Sequence, residues 1–169
     1  MAGLGRIIPI YQYHAEAPWR YFYTTDPDVQ RGWKRDGIAF YAFSDGVRGS
    51  ASEVVRYHAE DQNPWRFLYS LRGDPDFVNA SPGWAVDDSV DKGNDRKFYA
   101  FERADLAPPN VPIRPVYQFF AQAPQRYLYS LSATPPGSGW TLESDPAIAV
   151  SPGGIVFYVL DADIPLPVF

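Results

Sequence analysis

The sequence predicts a single all-β domain made of three internal repeats with pseudo three-fold symmetry, β-trefoil-like or, as the alternative, three-bladed and propeller-like. Three observations predict it. Aromatic residues make up 17% of the 169-residue chain and gather in short runs, well above the usual scatter of large rings. Seventeen prolines and thirteen glycines break those runs into strand-sized pieces, because Pro and Gly supply the backbone angles of turns. The same order of runs then recurs three times, over residues of about 7–50, 51–106 and 112–163. A chain of this length can bury a core of its own.

The first unit opens with PIYQYHAEAPWRYFYTT (9–25), continues with DPDVQRGW (26–33) and closes with GIAFYAF (37–43). The second has EVVRYHAEDQNPWRFLYSL (53–71), DPDFVNASPGW (74–84) and RKFYAF (96–101). The third has RPVYQFFAQAPQRYLYSL (114–131), TPPGSGW (134–140) and GGIVFYVL (153–160). Each reads as strand, short link, strand, loop closed by Gly-Trp, and strand. In the second strand Arg20, Phe22 and Thr24 share one side and Tyr21 and Tyr23 the other. That alternation predicts one buried face and one less buried. Asp26-Pro27-Asp28 predicts one helical turn running to Arg31, with Asp as the cap and Pro in the first turn. Residues 134–137 of the third unit predict a plain loop instead. Residues 87–95 and 143–151, polar and placed between Gly-Trp and the last strand, are expected as surface loops. The proline-rich stretch 107–112 is a connector too short to separate domains. One unit cannot bury its own aromatic face, but three around an axis can.

Composition narrows the function. The net charge of −5 comes from interspersed charges, which argues against a nucleic-acid partner. No cysteine is present, so a disulfide framework, a thiolate metal site and a thiol nucleophile are all excluded. The opening residues lack the pattern of a signal peptide, and no apolar stretch is long enough to span a bilayer. The expectation is a cytoplasmic protein, or one released by a non-classical route, without membrane insertion. No cofactor motif is present.

Internal repetition separates fold positions from site positions. Trp33, Trp84 and Trp140 recur after Gly in every unit, as do Tyr23, Tyr69 and Tyr129 and the pairs Phe40-Tyr41, Phe98-Tyr99 and Phe157-Tyr158. Large rings kept everywhere read as core anchors. Arg20, Arg66 and Arg126 also recur. They fit two roles: bonding loop carbonyls, or donating to sugar hydroxyls or an anion.

A second set recurs only twice. His14, Glu16 and Trp19 precede Arg20, and His58, Glu60 and Trp65 precede Arg66, but the third unit has Phe120, Gln122 and Gln125 before Arg126. Residues lost together act together. An aromatic face for the apolar side of a pyranose, with carboxylate, imidazole and guanidinium for its hydroxyls, is the chemistry of sugar recognition. The candidate ligand-binding residues are therefore His14, Glu16, Trp19, Arg20, His58, Glu60, Trp65, Arg66, Gln122 and Arg126. The competing reading is a tight link between strands, held by local His–Glu or Glu–Arg bonds. Catalysis is poorly supported: each link offers one Glu where a glycosidase needs two opposed carboxylates. Two histidines in separate units make a poor zinc site, and the acids of residues 87–95 lack the calcium-loop spacing.

Tyr11-Gln12-Tyr13, Tyr21-Phe22-Tyr23-Thr24, Gly32-Trp33 and Gly37-Ile38-Ala39-Phe40-Tyr41 resemble an aromatic-rich repeat family of unknown function. Its units carry a Tyr-Arg-Leu-Tyr strand, a His-Phe-Tyr-Thr strand, a short helix, Gly-Trp and a Gly-Ile-Ala-Phe-Tyr strand. The other two units match more loosely, and the resemblance spans nearly the whole chain. Such repeats accompany secreted bacterial cell-wall lytic enzymes and occur in fungal lectin-like proteins, which implies binding to glycans. The chain departs from the family in having Arg20, Arg66 and Arg126 where the family tends to have His.

The expected function is a lectin-like, carbohydrate-binding protein with two or three equivalent shallow sites, recognising glycans or glycoconjugates with avidity. It is expected not to be an enzyme. The alternative is a protein-binding module, such as a protease inhibitor presenting one of the two long loops. A cell-wall glycan hydrolase is the third reading.

Overall fold

Every strand pairing among the described residues is antiparallel. The structure, a computed structural model, describes residues 6–16, 19–29, 32–46, 50–60, 65–71, 83–87, 98–109, 111–122, 125–144 and 153–161. They form β1 (Ile7–Ala15), β2 (Arg20–Thr24), β3 (Lys34–Phe43), β4 (Ser52–Glu53), β5 (Val55–Ala59) and β6 (Arg66–Ser70). Then follow β7 (Trp84–Val86), β8 (Tyr99–Ala100), β9 (Ile113–Ala121), β10 (Arg126–Ser130), β11 (Thr141–Leu142) and β12 (Ile155–Leu160). A 3-10 turn at Ala104–Leu106 is the one helical element among the described residues. The protein is all-β.

The first strand of each unit is the middle one of a three-stranded set. β1 lies between β2 and β3, β5 between β6 and β7, and β9 between β10 and β12, with β11 also on β9. The first and third sets join through β12 and β3 into one curled sheet, to which β8 and β4 add. The second set, β6-β5-β7, is a separate sheet.

The second strands β2, β6 and β10 meet one another at the centre. There Tyr23, Tyr69 and Tyr129 close a ring. The Tyr23 N–H donates to the Tyr69 hydroxyl (2.7 Å), the Tyr69 N–H to the Tyr129 hydroxyl (2.7 Å) and the Tyr129 N–H to the Tyr23 hydroxyl (2.9 Å). Each hydroxyl returns its own proton to a backbone carbonyl: Tyr69 to Tyr23, Tyr129 to Tyr69, and Tyr23 to Tyr129. The rings meet edge to face at 5.3–5.5 Å, the geometry that the aromatic quadrupole favours. This explains why tyrosine, and not phenylalanine, recurs here. The inner strands cannot use these backbone groups in a sheet, and buried backbone groups demand partners.

Phe40, Phe98 and Phe157 pack on one another beside the tyrosines, at 5.8–6.4 Å between centroids. Outside them each Gly-Trp reaches into the following unit. Trp33 lies 5.8 Å from Phe67, Trp84 lies 6.0 Å from Tyr127, and Trp140 lies 5.7 Å from Tyr21. The preceding Gly32, Gly83 and Gly139 have φ of 87°, 103° and 89°. That left-handed backbone is strained for any residue with a Cβ, so the Gly is as much a part of the corner as the Trp.

Two expectations are corrected. Two of the second strands, β2 and β6, bury residues of both faces, with all five residues of β6 buried, because these strands sit where the units meet. Asp26–Val29 forms bends and no helical turn. The Asp26 carboxylate accepts from the Asp28 N–H (2.9 Å), and the Tyr13 hydroxyl accepts from the Val29 N–H (3.2 Å) while donating to the Asp26 carbonyl (2.8 Å). The Tyr13 hydroxyl thereby occupies the Asp26 carbonyl, the group that would accept the first bond of a helix capped by Asp26. Residues 30–31, and the matching stretch of the second unit, lie outside the described residues. Residues 134–137 form bends, as expected of a plain loop.

Candidate functional site

The histidine and tryptophan of the twice-repeated set are placed alike in two units. His14 is the penultimate residue of β1, opposite Tyr21 on β2 and Lys34 on β3. His58 is the penultimate residue of β5, opposite Phe67 on β6 and Ala85 on β7. In each case the tryptophan just before the second strand folds back over the imidazole. His14 and Trp19 stack at 4.3 Å with 8° between their planes, and His58 and Trp65 at 4.4 Å with 18°. Trp19 remains 41% exposed, and Trp65 is half-buried. An indole held flat yet open to water is a fixed apolar platform.

Both imidazoles are backed by a carboxylate. His14 Nδ1 lies 2.5 Å from Asp36 Oδ1. His58 Nδ1 lies 3.0 Å from Asp87 Oδ1, close enough for an ion pair but out of line for a hydrogen bond, while Nε2 meets Glu60 Oε1 at 3.1 Å. The other oxygen of each acid takes a donor from the first strand: Gln12 Nε2 on Asp36 (2.9 Å) and Arg56 Nε on Asp87 (2.7 Å). The third unit keeps this bond, Gln118 Nε2 donating to Glu143 (3.1 Å).

These acids are residues that the repeat analysis missed. Asp87 and Glu143 were expected to open surface loops, but both are buried; the rest of the two loops, residues 88–95 and 145–151, lies outside the described residues. Their signal was present as Gly-Trp-x-x-acid: GWKRD, GWAVD and GWTLE.

The glutamates differ. Glu16 pairs with exposed Lys34 at 3.0 Å, and that hydrogen bond and charge hold its carboxyl below the usual range. Glu60 instead meets His58. The arginines face inward. Arg20 is 1% exposed, and Arg66 is also buried. Each guanidinium donates to a link carbonyl: Arg20 to Glu16 at 3.5 Å, Arg126 to Gln122 at 3.4 Å, and Arg66 to Gln125 of the next unit. Arg66 also lies over Trp84 (5.0 Å) and Arg126 over Trp140 (5.5 Å). Burial lowers the pKa of Arg126. Of the two roles open to these arginines, the geometry supplies carbonyl bonding.

In the third unit Phe120 occupies the histidine position, opposite Tyr127 and Thr141. Gln122 is exposed and Gln125 half-buried. The structure thus brings His14, Trp19 and Asp36 together, and His58, Trp65, Glu60 and Asp87 together. It leaves Gln122 and Arg126 without an imidazole–indole stack. Among the described residues no group of three or more His, Cys, Asp or Glu is placed to hold a metal ion.

No protein-family model, no curated protein and no solved structure matches this chain.

Proposed function

We propose that this protein is lectin-like and binds carbohydrate at two sites, centred on Trp19 and Trp65. The observation that carries the reading is the pair of imidazole–indole stacks built at the same register in two units. A sugar ring offers axial C–H groups on one face and hydroxyls at its edge. The tryptophan supports the first, and the polar groups beside it answer the second. Those groups are Glu16, Lys34 and Asp36 at one site and Glu60 at the other. Arg20 and Arg66 serve as scaffold, and the third unit, with Phe120, Gln122 and Gln125, is a copy that kept the frame and lost the site.

We place the three units around the tyrosine ring with their second strands innermost, which favours the propeller-like alternative over the trefoil. Three-stranded sets with the second strand at the centre support that arrangement. The resemblance to repeats found beside cell-wall lytic enzymes makes wall glycans the first ligands to try, and two sites on one rigid body would give avidity on such a surface.

A glycan array followed by calorimetry tests the reading. The expected result is binding with two sites per chain, one lost in Trp19→Ala, one in Trp65→Ala and both in the double variant. No bound glycan, with no sugar altering tryptophan fluorescence, would sink it.

A further inference from the structure

We propose that the acid three residues after Gly-Trp, Asp36 in the first unit and Asp87 in the second, is the positioning residue of each site: it fixes the histidine that carries the tryptophan. The carbohydrate reading supplies the ligand for this proposal, but the tryptophan geometry is independent of it.

An imidazole near the end of a strand has two side-chain torsions to fix before a ring can lie flat on it. The acid fixes them from the segment that follows Gly-Trp. Asp36 Oδ1 holds His14 Nδ1 at 2.5 Å while Oδ2 takes the Gln12 amide at 2.9 Å. Asp87 Oδ1 faces His58 Nδ1 at 3.0 Å while Oδ2 takes Arg56 at 2.7 Å. Each carboxylate is thus divided between the histidine and the residue two before it on the same strand. A chain of contacts runs from Gln12 or Arg56 through the acid and the histidine to the indole.

The third unit separates this role from a plain structural one. Glu143 keeps the bond to Gln118, and its N–H donates to the Gln118 carbonyl (2.8 Å) as the Asp87 N–H does to that of Arg56 (2.8 Å). In every unit, then, the acid ties the segment after Gly-Trp to the first strand. Only where a histidine stands beside it can it also aim a tryptophan. The third unit consequently lacks two side chains, at Phe120 and Gln125, and the five-residue step between them equals that from His14 to Trp19.

The experiment uses the full chain labelled with fluorotryptophan, read by fluorine NMR without sugar and then by calorimetry with the best array glycan. In Asp36→Ala the Trp19 signal is expected to shift toward that of a free indole while the four other tryptophan signals hold, and affinity at that site to fall about tenfold, the scale of one charge-assisted hydrogen bond. Asp36→Asn, which keeps an acceptor oxygen, should restore most of the Trp19 position. Phe120→His with Gln125→Trp should add one stacked indole signal, lost again when Glu143→Ala is included. An unmoved Trp19 signal in Asp36→Ala overturns the proposal, and so does a stack in the third unit that forms without Glu143. If no glycan binds the unaltered protein, the carbohydrate reading fails, and the sugar-free spectra alone still decide the positioning role.

Discussion

At the scale of single residues, the same acid position lives in two environments. The Asp87 side chain is 0% exposed and shares its charge with Arg56, itself packed over Phe22 at 4.9 Å. The Asp36 side chain is 28% exposed and faces an uncharged amide and His14. Removing Asp87 takes a fully buried carboxylate away from a mostly buried guanidinium, so Asp87→Ala is expected to destabilise by about 3–5 kcal/mol, whereas Asp36→Ala should cost under about 1 kcal/mol. Urea unfolding of the two variants checks this, and equal losses would contradict it. The histidine–tryptophan sets were legible because they come and go together between copies. The acids were not, because one copy uses Glu for Asp and each is followed by a stretch of different length, so that Asp87 and Glu143 read as the first residues of loops.

At the scale of elements, β7 and β11, starting at or just after the Trp of Gly-Trp, were missed, whereas the first two strands of each unit, β3 and β12 were legible from alternating aromatics and Gly-Trp punctuation. Burial of both faces of β2 and β6 was not. Arg20 and Thr24 mark one side of β2 as polar, yet both are buried, since the guanidinium finds a carbonyl inside the link. The inner strands also hold buried polar atoms that are fully engaged. The Tyr69 hydroxyl serves both the N–H and the carbonyl of Tyr23. Tyr69→Phe strands two buried backbone groups and is expected to cost roughly 2–4 kcal/mol. Tyr21→Phe, one position along β2 at a half-buried site where the second unit already has Phe67, is the control and should cost well under half as much by the same reasoning. Comparable midpoints in urea for the two variants would refute the role assigned to the ring.

At the scale of the whole molecule, the ring couples stability to alkaline pH. Burial pushes the hydroxyls of Tyr23 and Tyr129 well above their ordinary value of 10.0. The folded state therefore keeps these protons after the unfolded chain has begun to release its own. The stabilisation is complete below about pH 10 and is lost as pH rises beyond it, at about 1.4 kcal/mol per pH unit for each such tyrosine. Urea midpoints from about pH 8 to about pH 11 should stay level and then fall steeply, while stability unchanged across that range would show the hydroxyls to be less protected than their burial implies. The ring also joins residues 106 apart in sequence, and closing so long a loop before it is rewarded makes for slow folding.

The same ring is indifferent to how its strands are connected. No bond within it joins two groups of the same unit: each hydroxyl and each N–H reaches a neighbour. Three separate chains, each carrying one unit, would present the same donors and acceptors to one another as the three segments of this chain do. The hub has the chemistry of a trimer interface enclosed within one polypeptide.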